Sequence, residues 1–367
     1  MARSRNSAET ALGAALAALE PARGPIGAPA GSLIAIAYSG GLDSTVLLNA
    51  AVRRLGAGRL LALHVHHGLQ PAADHWVEHC AAACAGLGVP FRALYAAGAP
   101  ARGESLEAWA RERRYALLLA AAREAGAAAL LTAHHADDQL ETLLLQLARG
   151  AGPDGLAGIA ARDRRAGVPV LRPLLTLERA ELLAEALDHG LRWVEDPTNA
   201  DPTRPRNAIR RRLAPVLHEV LPTLRRGLPA SLAWLADARE TLGEQARADL
   251  AQARIDGDAG RRLADASGAC AGEPSAACAR LDRRRLAALP EARRRYALRA
   301  WLLALGAPAA PHHRLEAIRA QLIEGGRARG EVRHAGWCLV RQGDRLHAWR
   351  AADLPAGPVE GLVHWRG

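Results

Sequence analysis

Between residues 33 and about 147 the chain alternates short apolar runs with longer amphipathic segments, and no other feature restricts its fold so severely. The runs at 33–38, 60–66, 91–95 and 129–133 have strand length, while the segments at 44–55, 73–87, 105–125 and 137–148 have helix length. In the last of these Leu140, Leu143, Leu144 and Leu147 recur at the i, i+3, i+4, i+7 spacing of one helix face. Apolar strands that each lead into a helix fit a sheet covered on both sides. The expected fold class is therefore α/β, with a doubly wound parallel sheet.

At 367 residues the chain exceeds one ordinary core, so a second domain is expected. Beyond Arg149 a Gly-rich stretch runs to Gly158, a short strand is expected at 168–172 and a helix at 177–189, and the regular strand alternation stops. A helical stretch at 230–253 reads as a connector, and the Gly/Ala/Cys/Pro segment at 265–278 as a loop. Residues 281–321 read as largely helical and basic, and 331–349 alternate as a small hairpin turning at Gln342 and Gly343 would. The expected organisation is a catalytic α/β domain over 1–225, a helical connector over 226–260 and a smaller helical/α+β domain over 261–350. Residues 351–367 form a tail, read as the start of a further domain.

Half the residues are hydrophobic and 23% are charged, the balance of a globular chain rather than a disordered one. Arg, Glu or Gly breaks every Ala-rich run, so no membrane span is expected. Glu9 and Glu20 interrupt the N-terminal region, which reads as cytoplasmic. Five cysteines without a C-x-x-C pair argue against a disulfide framework or zinc ribbon, and Cys80 and Cys84 read as small buried residues. All 48 basic residues are Arg, against 38 acidic ones, for a net charge of +10. That balance favours polyanionic partners. The absence of Lys excludes a Schiff-base mechanism and the G-x-x-x-x-G-K-[ST] phosphate loop.

The hexamer Ser39-Gly40-Gly41-Leu42-Asp43-Ser44 follows the first strand and opens a helix. Two glycines let backbone approach a phosphate, the helix start offers N–H groups and a positive dipole end, and the hydroxyls of Ser39 and Ser44 add donors. Asp43, an anion, suits a Mg²⁺ ligand, directly or through water. Two further segments stand where strands end: His64-Val65-His66-His67-Gly68-Leu69, and Thr132-Ala133-His134-His135-Ala136-Asp137-Asp138-Gln139-Leu140-Glu141-Thr142. Open α/β sheets bind ligands at such carboxyl ends. Asp137, Asp138 and Glu141 share one helix face, where they could hold ammonium groups or Mg²⁺; either His134 or His135 could contact phosphate or move a proton. Arg114 first and Arg111 second are the guanidiniums expected to neutralise phosphate charge. The Arg-dense, Pro-rich stretch at 196–212 suits an RNA backbone. So do the arginines at 283–285, 293–295, 299, 319, 327, 329 and 333, which are read as having few acids nearby.

The S-G-G-x-D-S hexamer resembles the loop of the N-type ATP pyrophosphatases, or PP-loop enzymes. Taken with the His64–Leu69 and Thr132–Thr142 segments, Glu107-Ala108-Trp109-Ala110-Arg111, Arg113-Arg114-Tyr115, Arg149-Gly150-Ala151-Gly152, Gly155-Leu156, Asp196-Pro197-Thr198-Asn199, Arg206-Asn207 and Ile209-Arg210, it resembles the tRNA(Ile)-lysidine synthase family. The resemblance implies adenylation of the wobble cytidine in the CAU anticodon of an isoleucine tRNA by ATP, then displacement of AMP by free L-lysine. It assigns lysine recognition to Asp138 and Glu141. On this reading the catalytic residues are Asp43, Arg114, His134, Asp138 and Glu141. Ser39, Gly40, Gly41, Leu42, Asp43, Ser44, Arg111 and Arg114 bind ATP, and Asp43 holds Mg²⁺. A tRNA thiolase would need paired cysteines, and an NAD synthetase-like amide ligase would not need the Arg-rich final third. The oligomeric state is left open.

Overall fold

The computed structural model describes residues 6–17, 31–68, 73–100, 106–196, 201, 203–255, 280–307, 310–325 and 329–350, without the side chains of Glu107 and Arg329. Outside them fall Leu69, Pro197, Thr198, Asn199, Cys270, Cys278, Arg327, the loop expected at 265–278 and the tail at 351–367. The chain divides into two units, Met1–Leu145 with Gly158–Ala230, and Gln146–Ala157 with Ser231–Gly367.

The first unit runs α1 (Ser7–Ala17), β1 (Ile34–Ala37), α2 (Leu42–Leu55), β2 (Leu60–His66), α3 (Ala73–Leu87), β3 (Phe91–Tyr95), α4 (Leu106–Glu124), β4 (Ala129–Leu131) and α5 (Ala136–Ala148). After α6 (Pro153–Leu156), which belongs to the second unit, it resumes with β5 (Arg162–Arg165), β6 (Val168–Leu171), α7 (Arg179–Asp188), α8 (Pro205–Ala208) and α9 (Ala214–Val220). The sheet order is β3-β2-β1-β4-β6-β5, with every pair parallel except β5 with β6. Pairing of Ile34 with both Leu60 and Ala129 sets the register.

Side-chain alternation in β1 explains why both sheet faces are covered. Ile34 and Ile36 enter a core built with Val46, Leu47, Cys80, Cys84 and Leu182, while Ala35 enters another with Tyr115, Leu118 and Ala122 of α4. Each buried Leu or Ile contributes roughly 2 kcal/mol by leaving water. The expected doubly wound sheet is present. Strand order reverses direction about β1 and β4, so the loops after these two strands flank one crevice.

The strand expected at 168–172 is present over Val168–Leu171, and a strand that the sequence did not suggest precedes it at Arg162–Arg165. β6 lies parallel beside β4, and β5, whose sequence is Arg-Asp-Arg-Arg, forms the sheet edge. An edge strand needs no apolar face, so hydrophobic periodicity does not reveal it. Its hairpin turns on Ala166 and Gly167, with φ of 46° and 83°, as a type I′ turn requires.

The second unit contains α6 and most of α10 (Leu224–Ala253), then β7 (Leu281–Asp282), α11 (Arg283–Ala287), α12 (Glu291–Ala304), α13 (His312–Arg319) and strands β8 (Arg329–His334), β9 (Trp337–Gln342) and β10 (Arg345–Arg350). The antiparallel order is β7-β10-β9-β8. The hairpin expected at Gln342 and Gly343 is there, turning at Gly343 with φ of 60°, and a second turns at Ala335 and Gly336. Trp301 and Trp337 lie in the core with Leu298, Leu322 and Leu339. Cys80, Cys84 and Cys338 are buried free thiols. Among the described residues no helix is long and apolar enough to cross a membrane.

The arginines of this unit do have acids nearby. Arg283 and Arg284 meet Asp344, Arg285 meets Asp282, Arg293 meets the buried Asp249, and Arg295 and Arg319 meet Glu316. Arg294, Arg299 and Arg333 pair with Glu324, Asp154 and Glu331. These partners lie up to tens of residues away in sequence or on adjoining turns, so a linear count of neighbouring acids misses them.

His347 stacks on Trp349 with ring centroids 5.3 Å apart. Burial first, then the charges of Arg280 and Arg345, lowers its pKa to about 4. The unfolded chain, with a His pKa near about 6.5, takes up that proton first on acidification. The stability that neutral His347 contributes is present above about pH 6.5 and is lost as pH falls toward 4. Thermal unfolding of wild type and His347→Gln between pH 7 and 4 should show a smaller acid-induced fall in the variant; parallel curves would exclude this role.

Candidate active site

The loop between β1 and α2 is held from below. Tyr38 N–H donates to Leu63 O, and His64 Nδ1 lies 3.0 Å from Tyr38 O and 3.4 Å from Cys80 Sγ. Gly40 has φ of +81°, and a Cβ there would stand 2.7 Å from Cys80 Sγ and 3.2 Å from Val194 Cγ2. Val194 N–H also donates to Gly40 O. Within the loop Ser44 Oγ donates to Gly41 O, Thr45 Oγ1 does the same, and the Ser39 and Ser44 hydroxyls are 3.0 Å apart. Gly41 caps α2 without any side-chain hydrogen bond, so the first-turn N–H groups remain for an anion. Leu42 contributes backbone only, since its side chain is in the core.

Across the crevice, the loop after β4 places His135 against the same helix start. His135 is 1% exposed, and its ring lies 3.6 Å from Asp43, 3.3 Å from Asp137 and 3.7 Å from Asp138. Burial opposes its charging, but the Asp137 contact and the carboxylates of Asp138 and Asp43 outweigh it and raise its pKa. Its backbone N–H is also accepted by Asp138 Oδ2 at 3.0 Å. Asp137 is held well below the usual carboxylate range: burial opposes this, while His135 and the Arg179 N–H favour the charged form. Burial pushes Asp43 upward, with His135 and Arg179 opposing.

His134 differs from its neighbour. Nδ1 is 2.9 Å from Thr132 Oγ1, and burial lowers its pKa to about 3, so it is neutral at physiological pH. The sequence named His134 as catalytic while leaving open which histidine touches a ligand; in the structure it is His135 that contacts Asp43, and His134 bonds to Thr132.

The carboxylates continue to a basic partner. Arg210, in a π-helical turn spanning Ile209–Leu213, donates from Nε to Glu141 Oε1 at 2.7 Å and reaches Asp138 Oδ1 at 3.4 Å. Arg206 stands 3.8 Å from Glu141 Oε2. Glu141 is 2% exposed; burial raises its pKa and Arg210 pulls it back. A line of contacts thus runs from Asp43 through His135 and Asp138 to Arg210 and Glu141.

Arg114 is exposed and acts on His134 and His67 through its charge. Arg111 lies over the Tyr115 ring at 5.5 Å. Arg179, Arg206 and Thr132 are site residues that sequence reading did not single out individually. Gln139, in the same segment, clamps Ile159 with its amide through two hydrogen bonds of 2.7 and 2.8 Å. Position after a strand end was the one available signal for Thr132.

The geometry offers an anion cradle facing a half-buried carboxylate cluster. Among the described residues no group of three His, Cys, Asp or Glu side chains forms a metal site. Asp43 Oδ1 is nonetheless buried without a hydrogen-bond partner. One carboxylate oxygen with phosphate and water oxygens is how Mg²⁺ is commonly held, so the donor set fits.

Residues 18–217 match the PP-loop domain family and residues 281–347 the TilS substrate binding domain. The chain is 42% identical over 347 residues to a tRNA(Ile)-lysidine synthase of Burkholderia pseudomallei, covering 94% of this chain and 65% of that protein. It is 45% identical to one of Ralstonia nicotianae (89% and 67% covered) and 43% identical to one of Alkalilimnicola ehrlichii (88% and 68%). The chain thus spans about two thirds of the length of these relatives. Among solved structures, a U34-tRNA thiolase from Methanococcus maripaludis shares the fold, with a TM-score of 0.50 at 15% identity over 62% of this chain and 80% of that one.

Gly40→Ala should lose about 1–3 kcal/mol of stability through the left-handed backbone and raise the KM for ATP. Gly40→Ala combined with Cys80→Ala should recover part of that KM, because the 2.7 Å clash is gone. Equal ATP kinetics in wild type and the single variant would refute the cradle.

Proposed function

We infer the activity from one premise: this chain belongs to the tRNA(Ile)-lysidine synthase family. The proposed reaction joins free L-lysine to the wobble cytidine of an isoleucine tRNA with a CAU anticodon, consuming ATP and releasing AMP and diphosphate. The observation that carries it is the contact line from Asp43 to Glu141, which joins the start of α2 to the Asp138 and Glu141 carboxylates on one crevice.

In this reading the backbone at Ser39, Gly40, Gly41, Leu42 and Ser44 cradles the triphosphate. Asp43 would hold Mg²⁺, which when bound offsets charge on the leaving diphosphate. Arg114, with Arg111 behind it, supplies positive charge toward the α-phosphate as the cytidine carbonyl oxygen bonds to phosphorus. The lysine ε-amine then bonds to the ring carbon and AMP leaves with the C–O electron pair. Two carboxylates, Asp138 and Glu141, would receive the ammonium, exchanging one cation for another at the place where Arg210 sits. Attack needs a neutral amine, so a carboxylate must take a proton; burial raises the proton affinity of Glu141 toward that task. His134, neutral, serves as a hydrogen-bonding group rather than a cation.

The relatives favour this reading over a thiolase or an amide ligase. The second unit, matched to a substrate binding domain, is the proposed tRNA contact.

Purified protein with ATP, Mg²⁺ and CAU-anticodon isoleucine tRNA should incorporate labelled lysine, and Asp43→Ala should abolish incorporation. Equal incorporation into tRNA with other anticodons would defeat the specificity. Glu141→Gln should raise the KM for lysine about tenfold or more, the effect of removing one charge-assisted contact; an unchanged lysine KM would remove Glu141 from the site. Chelation of Mg²⁺ should stop diphosphate release, and release that persists would rule out the assignment to Asp43.

A further inference from the structure

Tyr115 of α4 carries two guanidinium groups. Arg165, from the edge strand β5, lies 4.6 Å from its ring centroid, and Arg111 lies 5.5 Å from it. Cation–π attraction explains how each is held singly, but not why two like charges share one ring. Arg111 is partly buried, and besides Tyr115 it has no ion pair or hydrogen bond among the described residues. Burial and the neighbouring charges of Arg114, Arg206 and Arg165 all disfavour its charged form. The nearby carboxylate Asp163 is already shared, 2.7 Å from Arg165 Nε and 3.9 Å from Arg172. That contact leaves the terminal nitrogens of Arg165 without a hydrogen bond among the described residues. Tyr115 Oη is buried without a hydrogen-bond partner among the described residues.

An under-neutralised guanidinium cluster is stabilised by an oxyanion, and Arg forks suit one. The triphosphate already has its cradle at the start of α2. Positive charge continues along β5, where Arg162 and Arg164 are exposed at the open sheet edge. A run of charge on an open edge fits a polymer that passes across it better than a small molecule that must be enclosed.

We propose that Arg165, held on the Tyr115 ring beside Arg111, binds a backbone phosphodiester of the substrate RNA, next to the nucleotide presented to the Asp43–Glu141 crevice. This rests on the tRNA reading above. The site steadies the strand by a contact that carries no base information, as phosphate contacts do. Arg165 supplies its terminal nitrogens to the phosphate oxygens and keeps Nε on Asp163. The Tyr115 ring holds both guanidiniums in place, so little side-chain freedom is lost on binding.

The decisive variants are Arg165→Gln and Arg165→Lys, read by fluorescence anisotropy with the labelled CAU tRNA over a salt series and by steady-state kinetics. Arg165→Gln should weaken tRNA binding about tenfold and reduce the slope of log affinity against log salt by about one. The KM values for ATP and lysine should stay within about twofold of wild type. Arg165→Lys should restore the salt slope but only part of the affinity, because a point charge lacks the planar fork. With unchanged thermal unfolding, wild-type affinity and slope in Arg165→Gln would overturn the proposal. A rise in the lysine KM instead would assign the cluster to the amino acid's carboxylate, and a rise in the ATP KM would assign it to the triphosphate; both overturn it. Binding is measured without turnover. A wild-type protein that binds tRNA but adds no lysine would therefore count against the proposed reaction alone.

Discussion

The crevice depends on one buried imidazole. Asp43, Asp137 and Asp138 come from the first turns of two different helices, α2 and α5, and three carboxylates brought together in a poorly solvated space repel one another. His135 lies within 3.7 Å of all three, and its raised proton affinity is the reciprocal of their need for a cation. The same residue uses its backbone N–H on Asp138, which orders the first turn of α5. Through this group the loop after β1 and the loop after β4 become one site rather than two neighbouring turns.

Around that centre the protein offsets the charge of its acids with specific guanidinium and backbone N–H partners. Arg210 answers Glu141 and Asp138 from a π-helical turn, a local widening of the helix that recurs at functional positions. Arg179 offers its backbone N–H to Asp137. The second unit follows the same rule: its arginines face Asp249, Asp282, Asp344, Glu316 and Glu324. An overall charge of +10 therefore does not describe the local field. At the Tyr115 ring a single carboxylate, Asp163, serves Arg165 and Arg172, and Arg111 has no ion pair among the described residues.

Much of the fold was legible because the physics behind it is local. Apolar strand runs and the Leu140 to Leu147 stripe placed β1 to β4 and α5 within a residue or two, and the glycine pair at 40 and 41 marked the tight turn where φ is positive. The strand β5 was not legible, since all four of its residues are charged and its partner contacts are backbone hydrogen bonds at an edge. The Ala166 and Ala335 turns escaped for a related reason: each alanine takes a positive φ that its hairpin imposes, with no Asn or Asp to announce it. At the site, the motif residues Asp43, Asp138 and Glu141 could be named from the sequence. The division of labour between His134 and His135 could not, because it rests on a threonine hydroxyl for one and three carboxylates for the other.

The sequence by itself determined the α/β class, the phosphate loop and the identity of the acids at strand ends, since strand period, helix period and glycine permissiveness act over a few residues. Only the tertiary structure decided which charges meet. Arg210 reaches Glu141 across 69 residues of chain, Arg293 reaches Asp249 across 44, and Cys80 comes to rest beneath Gly40. Electrostatic and steric contacts fall off over a few ångströms of space, and that distance is set by sheet order and helix packing rather than by position along the chain.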